Sequence, residues 1–179
     1  MNEAKWYIVY THQKGEQKLA ESFSRKKIIN YCPLNKVQIN FDDRKKTLYN
    51  PLFSSYVFVY LKPEELKHVL GMQGVINFIY WIGKPAEVSD EEIATIRLFL
   101  DQYQSVTLEK KAVDVTERIK VLSDAQMSRK GNVLEVRNNI IKVQLPSLGV
   151  TMVAEKRRDK EEEFISFEHQ RSVNQISES

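Results

Sequence analysis

The pattern of apolar and polar positions divides the first hundred residues into strands and helices in alternation. Residues 6–10, WYIVY, are aromatic and β-branched, which favours a strand. Residues 31–41 return to strand character, with apolar side chains at every second position from Val37. Residues 56–61 alternate aromatic and aliphatic side chains, so both of their faces are apolar. This last strand is predicted to be central and covered on both sides.

Helical spacing separates these strands. Gly15 ends the first strand, and residues 16–28 place Leu19 and Phe23 on one side of a predicted helix. Three cations fall within about 40° of one another on the opposite side of the helical wheel: Lys14, Lys18 and Arg25.

Two further helices complete the first region. One is predicted from Pro63, which suits a first turn, to Gly71. The other begins at a capping box formed by Ser89 and Glu92. The order β-α-β-β-α-β-α predicts an α+β fold, a ferredoxin-like sandwich with an added hairpin.

The second half of the chain has a different pattern. Residues 106–115 lose periodicity and are predicted to be a linker between a domain at 1–105 and a second domain at 116–168. The second domain contains short predicted strands punctuated by Asn and Gly, which favour a small β-barrel: residues 118–122, 132–137, 140–145 and 150–154. Residues 169–179 are predicted to be a mobile tail.

Charge is distributed unevenly along the chain. Residues 1–50 hold ten Lys or Arg against five Asp or Glu, whereas residues 51–108 hold four against seven. A basic first third favours local contact with a polyanion, although a solvated charged surface explains the count equally well. With no apolar run long enough to span a bilayer and no signal-peptide core, the sequence predicts a cytoplasmic monomer without membrane contact.

Candidate catalytic chemistry is sparse. Cys32 is the one cysteine and reads as a small hydrophobe rather than a catalytic thiol. The histidines His12, His68 and His169 are scattered, and no metal spacing, phosphate loop or nucleophile elbow is present. We therefore expect neither an enzyme nor a cofactor.

Several spaced motifs together resemble the NusG family of transcription factors. Three motifs are similar to those of the family's N-terminal domain: WYIVY at 6–10 before a basic helix, PLFSSYVFV at 51–59, and VSDEEI at 88–93. The C-terminal part resembles a KOW module, with Gly131 and the turn at 147–149 in matching places. The resemblance implies a ferredoxin-like NusG N-terminal domain followed by a small KOW-like β-barrel.

Two details are more similar to specialised paralogues than to the general factor. The link between the second and third main strands is short, and Ser54-Ser55 stands where the general factor commonly has Pro-Gly. RfaH and the antiterminators of Bacteroides capsule operons share these features. The loop at 123–129 lacks the usual glycines, which weakens transfer of a ribosomal or termination-factor partner to the KOW-like part.

The resemblance implies two contact surfaces. One would read the exposed non-template DNA strand through His12, Gln13, Lys14, Lys18 and Arg25. The other would bind the two clamp helices of the largest subunit of bacterial RNA polymerase through Tyr7, Phe53, Tyr56, Trp81 and Ile82. Phe53 lies just outside a strand and is expected to be exposed there as an anchor.

Each surface also has a purely structural interpretation. The cations could form a merely solvated helix face, and Tyr56 and Trp81 could belong to the core. Two other functions stay open: an RNA- or ribosome-binding KOW module that does not act on polymerase, and an adaptor that binds only proteins.

Overall fold

The computed structural model describes residues 3–41, 44–110, 133–137 and 139–155. Its helices are α1 (Glu16–Arg25), α2 (Leu66–Leu70) and α3 (Asp90–Gln102). The strands of the N-terminal part are β1 (Lys5–Tyr10), β2 (Asn30–Tyr31), β3 (Leu34–Phe41), β4 (Arg44–Pro51), β5 (Tyr56–Leu61), β6 (Asn77–Phe78), β7 (Tyr80–Trp81), β8 (Lys84–Pro85) and β9 (Glu87–Val88). The remaining strands are β10 (Thr107–Lys110), β11 (Val133–Arg137), β12 (Ile140–Leu145) and β13 (Val150–Glu155).

A central antiparallel sheet organises the N-terminal part. Its strand order is β2-β5-β1-β6, and β9 also pairs with β1. All six residues of β1 pair with β5, from Lys5 opposite Leu61 to Tyr10 opposite Tyr56. The predicted mixture of helices and strands is confirmed, and β5 is central with both faces covered.

The two faces of this sheet have different covers. We call one the helix-covered face, because Tyr7, Val9, Val57 and Val59 pack there with side chains of α1 and α2. Phe23 of α1 is completely buried in this cluster. The apolar stripe predicted for the first helix therefore lies in the core, and the helix ends at Arg25 rather than at residue 28.

We call the opposite side the shared face, because two distant parts of the chain cover it. Trp6, Ile8 and Phe58 pack there with Ile96 and Phe99 of α3. The same cluster includes buried side chains from the C-terminal part of the chain: Ile141, Val143, Leu145, Met152 and Ala154.

These last side chains belong to a C-terminal sheet in the order β10-β13-β12-β11. The strands predicted at 132–137, 140–145 and 150–154 are present as β11, β12 and β13. Asn139 and Gly149 adopt φ values of 65° and 64°, the left-handed conformation that tight turns require. The strand predicted at 118–122 and the tail at 169–179 lie outside the described residues, and closure into a KOW-like barrel stays a prediction.

The stretch predicted to be a linker differs from expectation. Thr107–Lys110 forms β10 and pairs with β13 from Thr107 opposite Val153 to Lys110 opposite Val150. Just before it, the Asn35 side-chain amide donates to the Val106 carbonyl at 2.7 Å, and its oxygen accepts from the Val106 amide at 3.0 Å. The start of the C-terminal sheet is therefore fixed to β3.

The predicted capping box at α3 is confirmed and has an additional partner. The Ser89 hydroxyl accepts from the Glu92 amide at 3.2 Å, and the Glu92 carboxylate accepts from the Ser89 amide. The second carboxylate oxygen of Glu92 accepts from the Ser147 amide at 2.8 Å. One side chain thus caps α3 and binds the C-terminal sheet at the turn between β12 and β13.

Candidate nucleic-acid and polymerase interfaces

The segment from His12 to Arg25 carries the predicted nucleic-acid residues, and all five are exposed: His12, Gln13, Lys14, Lys18 and Arg25. They do not all belong to one helix, because α1 begins at Glu16. His12, Gln13 and Lys14 lie in the preceding turn, and Lys14 has a φ of 66°. We call these five residues the basic segment.

The turn of the basic segment is tightly constrained. The Gly15 amide donates to the His12 carbonyl at 2.9 Å, and a Cβ at Gly15 would lie 2.9 Å from that same oxygen. Only glycine fits this close approach without displacing backbone. The Thr11 hydroxyl donates to the Gly74 carbonyl at 2.7 Å, which fixes the end of β1 before the turn.

Glu16 fixes the other side of the turn. It is 2% exposed, and its carboxylate accepts from the Ser55 amide at 2.6 Å. Charge-assisted bonds of this length are among the stronger hydrogen bonds in proteins. A single interaction therefore ties the start of α1 to the loop that contains Phe53, so the two predicted surfaces are structurally linked.

The predicted polymerase residues do not form one exposed patch. Tyr7 is 3% exposed and lies in the cluster of the helix-covered face, where burial raises its pKa. Phe53 is 4% exposed and packs edge-on against Phe58, with ring centroids 5.5 Å apart. The expectation that Phe53 is exposed was wrong, because the shared face gives it a core to enter.

Trp81 and Ile82 are the exposed members of the set. They lie at the tip of the β7–β8 hairpin, and Trp81 is 74% and Ile82 86% exposed. Ile82 and Gly83 both have positive φ, at 49° and 74°, as in a two-residue hairpin turn. The interpretation of Trp81 as a core residue is therefore wrong, and we call this pair the apolar tip.

Tyr56 has an intermediate position. It is half-buried, packs against the cluster of the shared face and lies 6.2 Å from the ring of Tyr10. Tyr7 and Tyr56 are on opposite faces of the central sheet, since side chains alternate along paired strands. One partner surface cannot contact both residues directly.

Catalytic chemistry finds little support in the described ranges. No group of three His, Cys, Asp or Glu side chains there could hold a metal ion. Cys32 is half-buried, and burial raises its pKa to about 11, so the thiol is protonated at neutral pH. Within these ranges, no helix has the length and apolar character needed to cross a membrane.

Comparison with known proteins places this fold in a family. The family described as transcription termination factor NusG matches residues 4–97, slightly more than half of the chain. The chain therefore belongs to the NusG family. This is a family of non-enzymatic transcription elongation and termination factors that bind RNA polymerase.

A solved structure described as "Domain interaction in Thermotoga maritima NusG" is similar to the chain. It is 23% identical, and the match covers 86% of this chain and 94% of that one with a TM-score of 0.47. Comparison with curated proteins gives no match.

Sequence reasoning missed two residues that shape the site. The sequence pattern assigns no role to Glu16. It predicts Glu92 as a cap but does not predict its bond with Ser147. The partners of both carboxylates are distant in sequence, so spacing gave no signal for either contact.

Proposed function

We propose that the chain is a specialised elongation or antitermination factor that suppresses pausing or termination. It binds the polymerase clamp helices and the exposed non-template DNA strand. The observation that carries this proposal is the basic segment, whose five side chains are exposed on α1 and on the preceding turn, which Thr11, Gly15 and Glu16 fix. Cations can neutralise phosphates there, while Gln13 and His12 offer hydrogen bonds to base edges.

The apolar tip is the part of the polymerase surface that is accessible in this arrangement. A Trp and an Ile at a hairpin turn have lost little contact with water, so burial against a partner would stabilise the complex. Phe53 and Tyr56 lie nearer the shared face. Both pack in the cluster that side chains of the C-terminal sheet help to form, so in this proposal that sheet leaves the shared face.

The mechanism follows as bridging in two stages. The basic segment and the apolar tip make the first contacts, and the clamp helices then replace the C-terminal sheet on the shared face. A factor that bridges the cleft favours the closed, pause-resistant polymerase. The effect on pausing is limited by the difference in affinity for the two polymerase states.

The DNA contact is tested by removing charge from the basic segment. Lys14→Gln with Lys18→Gln should weaken binding to single-stranded DNA and lower the salt slope by about 0.7 for each lost phosphate contact. Lys62→Gln with Lys67→Gln removes the same charge from exposed positions before and within α2 and is the matched control. An equal slope for the two double variants would refute the assignment.

The polymerase contact is tested at the apolar tip. Trp81→Ala should reduce capture of the chain by RNA polymerase without lowering its unfolding free energy, because the side chain is largely exposed. Phe41→Ala, an exposed aromatic on another hairpin, is the control. Phe53→Ala is less informative, since its burial means that the variant also loses core packing.

The chief alternative is an RNA- or ribosome-binding KOW module that does not act on polymerase. Capture from extracts separates the two: polymerase supports the proposal and ribosomal subunits support the alternative. A ribosomal protein or termination factor recruited through the C-terminal part stays a prediction.

A further inference from the structure

The β3–β4 hairpin projects from the molecule as an arm. Its outer four pairs of residues, from Gln38 opposite Thr47 to Phe41 opposite Arg44, are exposed on both faces. An isolated two-stranded hairpin is marginal in water. Its persistence as an arm therefore depends on how its base is held.

The base of the arm is fastened on both edges. On the β3 side, the Ser105 amide donates to the Lys36 carbonyl at 2.9 Å, next to the paired bonds between Asn35 and Val106. On the β4 side, the Gln17 side chain of α1 donates to the Tyr49 carbonyl at 3.4 Å. These contacts set the direction of the arm and place its β4 edge beside the basic segment.

The register sorts the arm into two unlike faces, because residues opposite each other share a face and alternate along each strand. The polar face carries Lys36, Gln38, Asn40, Lys45, Thr47 and Tyr49. The mixed face carries Val37, Ile39, Phe41, Arg44, Lys46 and Leu48.

The polar face has the chemistry of a nucleic-acid contact. It offers two ammonium groups, two amides and two hydroxyls, which suit phosphates and base edges. Neither strand contains an Asp or Glu, although Asp42 and Asp43 stand between them in the sequence. Lys side chains on an edge strand also discourage aggregation, but that role does not require a separate polar face.

The shape of the arm favours a duplex over a single strand. A two-stranded ribbon fits the major groove of B-form DNA, which is about 12 Å wide and 8.5 Å deep. The outer four pairs extend roughly 14 Å at about 3.4 Å per residue. A stacking platform for single-stranded bases needs aromatic rings on one face, whereas Phe41 and Tyr49 lie on opposite faces.

We propose that the polar face of this arm enters the major groove of duplex DNA. This contact is separate from the proposed single-strand contact of the basic segment and does not depend on it. A factor that makes both contacts would hold duplex DNA beside a single strand of opened DNA.

The arm itself supplies a matched pair of variants. Lys36→Gln with Lys45→Gln removes two charges from the polar face, and Arg44→Gln with Lys46→Gln removes two from the mixed face. Binding of the full chain to a labelled duplex of about two helical turns is measured by fluorescence anisotropy across a salt series. The polar-face variant should bind about tenfold more weakly, with a salt slope lower by about 0.9 for each lost phosphate contact. The mixed-face variant should bind like the unaltered chain.

Two further measurements identify the groove and control for misfolding. An A-form RNA duplex of the same sequence should bind more weakly, since its major groove is too narrow for side chains to read. Lys36→Arg with Lys45→Arg keeps both positive charges and should bind DNA like the unaltered chain. Equal losses from both faces, equal affinity for the RNA duplex, or a loss confined to single strands would each overturn the proposal.

The two nucleic-acid proposals fail separately. Lys14→Gln with Lys18→Gln should weaken single-strand binding and leave duplex binding unchanged. The polar-face variant should show the reverse pattern.

Discussion

The two faces of the central sheet are both well buried, but their covers come from different distances along the chain. The helix-covered face is closed by α1 and α2, which flank β5 in sequence. The shared face is closed partly by α3 and partly by strands that begin at Thr107. The first cover is local to the family domain, whereas the second includes strands of a separate sheet. The same degree of burial therefore comes from a local cover on one face and from a cover distant in sequence on the other.

The largest expected effect contrasts Phe23→Ala with Leu145→Ala, one from each cover. Both side chains are fully buried, so we expect losses of about 3–5 kcal/mol and 2–5 kcal/mol of unfolding free energy, measured in urea. If the proposed function holds, only Leu145→Ala should increase capture by polymerase, because it weakens the C-terminal part of the cover of the shared face. Unchanged or reduced capture by that variant would break the distinction between the two faces.

A smaller effect isolates the bond between α3 and the C-terminal sheet. Ser89→Ala removes the helix cap, which costs about 1 kcal/mol, and leaves the Ser147 amide bonded to Glu92. Glu92→Ala keeps the bond from the Glu92 amide to the Ser89 hydroxyl but removes the bonds that the carboxylate accepts from the Ser89 and Ser147 amides. Because the Ser147 amide then lacks its partner, the unfolding free energy should fall by about 1–2 kcal/mol more than in Ser89→Ala. Urea titrations of both variants give the difference, and a smaller loss for Glu92→Ala than for Ser89→Ala would contradict a stabilising Ser147 contact.

The smallest effect concerns pH and the half-buried thiol of Cys32. Burial raises the pKa of Cys32 from 9.0 to about 11, so the folded chain favours the neutral thiol. The associated stability is present below pH 9 and is lost as pH rises towards 11. Cys32→Ala should lessen the fall in the urea midpoint over this window, and alkylation of the unaltered thiol at pH 8 should be slow. Rapid alkylation at pH 8 would show that the thiol is not buried as described.

Burial also raises the pKa of the neighbouring Tyr31, to about 12, and the Arg97 guanidinium opposes this shift from 4.7 Å above the ring. The stability that depends on the neutral Tyr31 hydroxyl is therefore lost at higher pH than the stability that depends on the Cys32 thiol. The two pH ranges overlap only in part, and the Cys32→Ala variant identifies the loss that belongs to the lower range.

Local patterns in the sequence predicted the parts of the fold that depend on near neighbours. The alternation in β5, the stripe of α1 and the box at Ser89 each required only residues within one element, and each is present. The short strand at Thr107 was missed because four residues among charged neighbours carry too little periodicity.

Burial of the candidate site could not be predicted in the same way. Phe53 looked exposed because nothing adjacent in sequence would cover it, and its cluster includes side chains about ninety positions later. Exposure of Lys18 and Arg25 was predictable from the wheel of α1, since its apolar side chains define the opposite side. Its rigid turn was not, because Glu16 bonds to Ser55 across the fold.

The paired bonds between Asn35 and Val106 affect how the C-terminal sheet and polymerase would compete for the shared face in the proposed function. Val106 is anchored to the hairpin and β10 begins at the next residue, so a C-terminal sheet that left the shared face would stay tethered beside it as an intramolecular ligand. Short tethers of this kind give effective concentrations in the millimolar range. In the proposed function, dissolved polymerase at lower concentration would compete poorly for that face. Prior capture at the basic segment or the apolar tip would make the clamp helices a local competitor as well, and recruitment would then depend on the order of contacts.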